Sequence, residues 1–129
     1  MRSLVDTNLL IYAYDLSEPV KRERAVEVIQ DLAEARDLVL SVQVLNEFAS
    51  VALRKKDRLG KPHSQLGEIV GEFSRLGQVL PLTPGTTRKA LVVVERHQLS
   101  FWDALLWAVA SDHSVAADSV RRLPAWPEG

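Results

Sequence analysis

The sequence predicts an α/β domain with a short, mostly parallel sheet and helices on both faces. Short apolar runs alternate with longer amphipathic segments along the whole chain, the pattern of βα units rather than of hairpins or a helical bundle. The 129 residues, 47% of them hydrophobic and 26% charged, suffice for one domain with a real core. No internal repeat or low-complexity segment divides residues 1–129 into parts.

Residues 2–5 read as the first strand, followed at Asp6-Thr7-Asn8 by a polar turn that opens a short helix from Asn8 to Tyr14. A longer helix fits residues 18–35, with Val20, Ala25, Val28, Ile29 and Leu32 as its apolar stripe. Leu38 to Ser41 form the next strand. Val42 to about Asp57 is helical until Gly60-Lys61-Pro62 breaks it. A helix fills residues 63–76, Val79 to Leu82 make a third strand, and residues 84–97 form a helix with Pro84 in its first turn. From Phe101 to about Ser111 the chain is helical and apolar nearly all round. Beyond it no apolar strand comparable to residues 38–41 is visible.

Composition excludes several chemistries. Without cysteine there are no disulfides, thiolate metal sites or cysteine nucleophiles. His63, His97 and His113 lack the spacing of a zinc site. No apolar run approaches the roughly 20 residues that span a bilayer, and Met1-Arg2 leads directly into a strand, so a soluble, cytoplasmic protein without membrane association is expected. A net charge of −1 argues against nucleic-acid binding by bulk attraction. Arg54, Lys55, Lys56, Arg58 and Lys61 nevertheless form a local basic cluster, which also suits the solvated end of a helix.

Three acidic motifs carry the functional signal: Val5-Asp6-Thr7-Asn8, Leu45-Asn46-Glu47-Phe48 and Phe101-Trp102-Asp103-Ala104. Each sets a carboxylate in a segment that otherwise reads as buried. Acids gathered in a poorly solvated place repel one another unless hydrogen-bonded, protonated or coordinated to a cation, and an all-oxygen cluster suits Mg²⁺ or Mn²⁺. Each also has a plainer explanation. Asp6 stands at the carboxyl end of the first strand, where α/β sheets gather their sites, yet Asp6, Thr7 and Asn8 are all good helix caps. Glu47 flanks the stripe of Val44, Leu45, Phe48, Val51 and Ala52, although a stripe-edge glutamate can reach water. Ser100 and Asp103 fit a capping box, but the helix behind Asp103 is buried on most sides.

These three segments, together with residues 40–48 (Leu-Ser-Val-Gln-Val-Leu-Asn-Glu-Phe) and 99–108 (Leu-Ser-Phe-Trp-Asp-Ala-Leu-Leu-Trp-Ala), closely resemble the PIN domain, specifically the VapC-type toxin ribonucleases, over about residues 1–110. The resemblance implies a three-layer PIN-like fold and a Mg²⁺-dependent, single-strand-specific endoribonuclease, with Mn²⁺ as a substitute ion. It also implies a homodimer, neutralised by a small cognate antitoxin of a toxin–antitoxin module. By motif position, Asp6, Glu47 and Asp103 would be the catalytic, metal-binding acids, acting as ligands rather than nucleophiles, with Thr7 and Asn8 in support.

The carboxyl end departs from the family pattern, which continues into a strand ending at a fourth acidic position. Here that position falls at Arg121-Arg122. Asp118 is the nearest acid and the weak candidate for a fourth ligand, while Asp112 reads as a surface residue at a helix end. Two alternatives follow: a catalytically impaired PIN-fold module that binds RNA or antitoxin, and an unrelated phosphotransfer or phosphatase domain with Asp6 as nucleophile. Asn8, where the commonest such phosphatases need a second aspartate, weighs against the last.

Overall fold

In a computed structural model that describes residues 1–115 and Val120–Arg121, four strands lie side by side in the order β3-β2-β1-β4. They are β1 (Ser3–Val5), β2 (Leu38–Ser41), β3 (Gln78–Leu80) and β4 (Val120–Arg121), and every pairing is parallel. The register sets Leu4 opposite Val39 and Val120, and Val39 opposite Gln78. Leu4, Val5, Leu38, Val39, Leu40 and Leu80 are buried, as expected of parallel strands covered on both faces.

The helices are α1 (Thr7–Tyr12), α2 (Pro19–Glu34), α3 (Val42–Arg54), α4 (Lys56–Leu59), α5 (His63–Leu76), α6 (Pro84–His97) and α7 (Phe101–Asp112). Phe48 of α3, Phe73 of α5 and Tyr14 form an aromatic trio in the main core, with ring centroids 5.3 to 6.0 Å apart and Phe73 edge-on to both other rings. A second, smaller cluster joins α6 and α7 through Ala90, Ala104, Leu105 and Ala108, and its three alanines let the two helices approach closely. Leu106, Val109 and Ala110, on another face of α7, pack into the main core, so α7 bridges both clusters.

Beyond shifts of one or two residues at the ends of α1, α2 and β3, four features differ from the sequence expectation. The helix expected from Val42 to about Asp57 ends at Arg54, and a separate turn, α4, follows. The chain turns there because Leu59 is buried and Arg58 reaches back to Asp15, a wholly buried carboxylate that also accepts from Ser17. Gly60 closes the turn in the left-handed region at φ 65°, against Leu16. Val20, assigned to the buried stripe of α2, is exposed. Lys21 lies inward instead, its ammonium 4.9 Å from the centre of the Tyr12 ring, a use of its apolar stem and charge that pattern counting does not anticipate.

The basic cluster is likewise divided, with Arg58 committed to Asp15 and Lys61 placed over Tyr14. Finally, a strand does exist in the tail. β4 spans two residues, one of them charged, and is specified by pairing with the buried β1 rather than by its own propensity.

Candidate functional site

Because β1 has β2 on one side and β4 on the other, the chain leaves β1 at the point where strand order reverses, the usual location of a site in an open α/β sheet. Asp6 occupies that point. Its backbone is extended, and its Oδ1 accepts a 2.7 Å hydrogen bond from the Thr7 amide, so it caps α1 while its carboxylate borders a cleft. The capping reading of Asp6 therefore holds, and its carboxylate also borders the cleft.

Glu47 reaches the same cleft from α3. Ser41, the last residue of β2, caps that helix by accepting from the Val44 amide at 3.2 Å, which fixes where the first turns point. Thr7, itself buried, donates from Oγ1 to Glu47 Oε1 at 3.1 Å and thereby ties the first acid's turn to the second acid. Asp103 enters from the first turn of α7, where Ser100 Oγ accepts from the Asp103 amide at 3.2 Å. This is the serine half of the expected capping box, and it leaves the carboxylate on the cleft wall.

Asp6, Thr7, Asn8, Glu47 and Asp103 thus line one cleft of about 270 Å³, with Ile11, Val51 and Leu106 as its apolar floor. The three acids are each half-buried. Asp118 lies outside the described residues. Asp112 is exposed as expected, but it is held across α6, accepting from Lys89 at 2.5 Å and from Thr86 at 2.9 Å. The Lys89 ammonium and then the Thr86 hydroxyl hold its carboxyl below the ordinary value.

Gln43 is the participant that motif reading missed. Its Nε2 donates both to Glu47 Oε1 at 3.0 Å and to the Trp102 carbonyl at 3.2 Å, the residue before Asp103. One amide thus joins the second and third acids. The available signal was the four-residue spacing of Gln43 and Glu47 on a helix, which puts them on one face with the glutamine inward. Its Oε1 is buried with no hydrogen-bond partner among the described residues.

The donor set is all oxygen, with no sulfur or imidazole lining the cleft, and suits a hard divalent cation. No three acidic or histidine side chains among the described residues are already gathered as a metal-ligand set. The oxygen donors suit such an ion in kind, and Mg²⁺ keeps several waters and commonly takes only one or two carboxylates. Glu47 Oε1 and Asp6 Oδ1 are engaged by protein donors, an arrangement that orients each carboxylate.

A second cleft of about 420 Å³ adjoins the first and shares Gln43, Glu47, Val51 and Trp102 with it. Residues 3–117 match the sequence model of the PIN domain family. No curated protein matches the chain.

Proposed function

The chain belongs to the PIN domain family, whose members are typically metal-dependent nucleases, and from that premise we propose that it is a Mg²⁺-dependent, single-strand-specific endoribonuclease. Mn²⁺ would substitute. The observation that carries this reading is the convergence of Asp6, Glu47 and Asp103, from three separated segments, on one cleft at the switch point of the sheet.

In this reading the three carboxylates hold the cation, and Thr7, Gln43 and Asn8 support them. When bound, the ion supplies acidification of a water and neutralisation of charge on the phosphate. The protein's own share is positioning. Thr7 Oγ1 and Gln43 Nε2 fix the Glu47 carboxylate, the Thr7 amide fixes that of Asp6, and Ser100 fixes the turn carrying Asp103. Ile11, Val51 and Leu106 supply apolar lining beside the half-buried acids.

The motif resemblance further supports a toxin of a toxin–antitoxin module: cytoplasmic, homodimeric and restrained by a small antitoxin. A second reading, a binding module with impaired turnover, is favoured by one feature. β4 pairs Arg121 with Val5, the residue before Asp6, and the family's fourth acid is missing from that strand.

The test is incubation of the purified protein with a mixed pool of cellular RNA and Mg²⁺. Cleavage by the wild type, lost in Asp6→Asn and Glu47→Gln, is expected. Binding of RNA without cleavage under any divalent ion would support the second reading instead.

A further inference from the structure

The larger cleft beside the acids has the makings of a nucleotide subsite. Along α3, Asn46, Ser50 and Arg54 follow one another at four-residue spacing and form a polar ridge on its wall. All three are exposed, and none makes a side-chain hydrogen bond or ion pair among the described residues. Across the cleft stands Trp102, 56% exposed although it is among the largest apolar side chains in the protein. Its ring is set edge-on against Phe101 at 5.3 Å, and its carbonyl is anchored by Gln43. An indole held in place and left open to solvent offers a face on which a base can stack.

Charge completes the picture. The net charge is −1 and the adjoining cleft is acidic, yet this one is edged by Arg54, which lies seven residues, about 10 Å, further along α3 than Glu47. We propose that this cleft binds the nucleotide adjoining the cleaved bond of a single RNA strand, with its base on the Trp102 ring and its flanking phosphate on Arg54. Asn46 and Ser50 hydrogen-bond the base edge or ribose. Direct stacking on an exposed ring requires an unpaired base, so the subsite accounts for single-strand preference by its shape. The inference rests on the ribonuclease reading and deepens it.

Fluorescence anisotropy of a labelled mixed-sequence RNA hexamer tests it, measured over a range of salt concentrations in EDTA so that the strand stays intact. Trp102→Leu should weaken binding roughly tenfold with the salt dependence unchanged. Arg54→Gln should weaken it and lower the slope of log affinity against log salt by about 0.7. Unchanged affinity in either folded variant, or a wild type that does not bind the hexamer, overturns the proposal. Failure of the nuclease reading is seen separately, in metal binding by the acids, to which neither variant contributes.

Discussion

Gln43 shows how closely the candidate site depends on single side chains. It brackets Glu47 and the turn before Asp103 with one amide group, so replacing it with Leu removes a donor from each and frees the two segments from one another. Partners that orient a metal ligand are typically worth 10- to 100-fold in metal affinity or activity, and a loss of that size is expected for Gln43→Leu in a Mn²⁺ titration. The acids themselves should behave differently in the metal-free protein. Asp6→Asn keeps a capping oxygen for the Thr7 amide, and Glu47→Gln keeps an acceptor for Thr7. If the acids share a metal centre, each also removes a charge that repels the others, so thermal denaturation in EDTA should give both a Tm equal to or above that of the wild type. A marked fall in Tm would mean that the carboxylates serve the fold.

At the scale of elements, the bend between α3 and α4 depends on Asp15. Burial alone would raise its carboxyl, but the Arg58 guanidinium and the Ser17 donors outweigh burial and hold it below its ordinary value of 3.8. A lowered folded value contributes stability that is complete above about pH 4 and disappears as pH falls through the folded value. Acid unfolding of the wild type should therefore be steeper below pH 4 than that of Asp15→Asn. Arg58→Ala at neutral pH leaves the buried carboxylate with Ser17 alone. It should cost about 2 kcal/mol, less than a fully buried pair because Arg58 is partly exposed, as read by urea denaturation. Two glycines give opposite expectations. A Cβ on Gly77 would meet the Leu38 carbonyl at 2.5 Å, backbone that cannot yield, so Gly77→Ala should destabilise by about 2–3 kcal/mol. Gly67, within α5 and facing open space, should gain about 0.5–1 kcal/mol on becoming alanine. Sequence periodicity anticipated β2, α5 and α6 at their observed bounds, because their apolar spacing and flanking Gly or Pro agree with the tertiary fold. It did not anticipate α4, the outward Val20 or β4, since each is decided by a distant partner: Asp15 for α4, Tyr12 for the Lys21 that displaces Val20, and β1 for β4. The acids that line the cleft stood out in the sequence as charges in apolar segments, whereas Gln43 and Trp102, although inside the same motifs, had no charge to single them out.

For the whole molecule, topology explains why three distant motifs form one site. Reversal of strand order at β1 opens a crevice at its carboxyl end, α3 leaves β2 beside it, and α7, anchored in both apolar clusters, brings Asp103 to the same edge. On the proposed ribonuclease reading, a net charge of −1 contributes little to capturing RNA, so affinity should rest on the local Arg54 and Trp102 surface and on the cation. Calorimetric titration of Mn²⁺ into the metal-free protein tests whether these acids form a metal centre, without knowledge of any RNA target. Saturable binding by the wild type, abolished in both Asp6→Asn and Asp103→Asn, is the predicted result. Absence of binding to the folded wild type at millimolar Mn²⁺, or undiminished binding by the two variants, would contradict it.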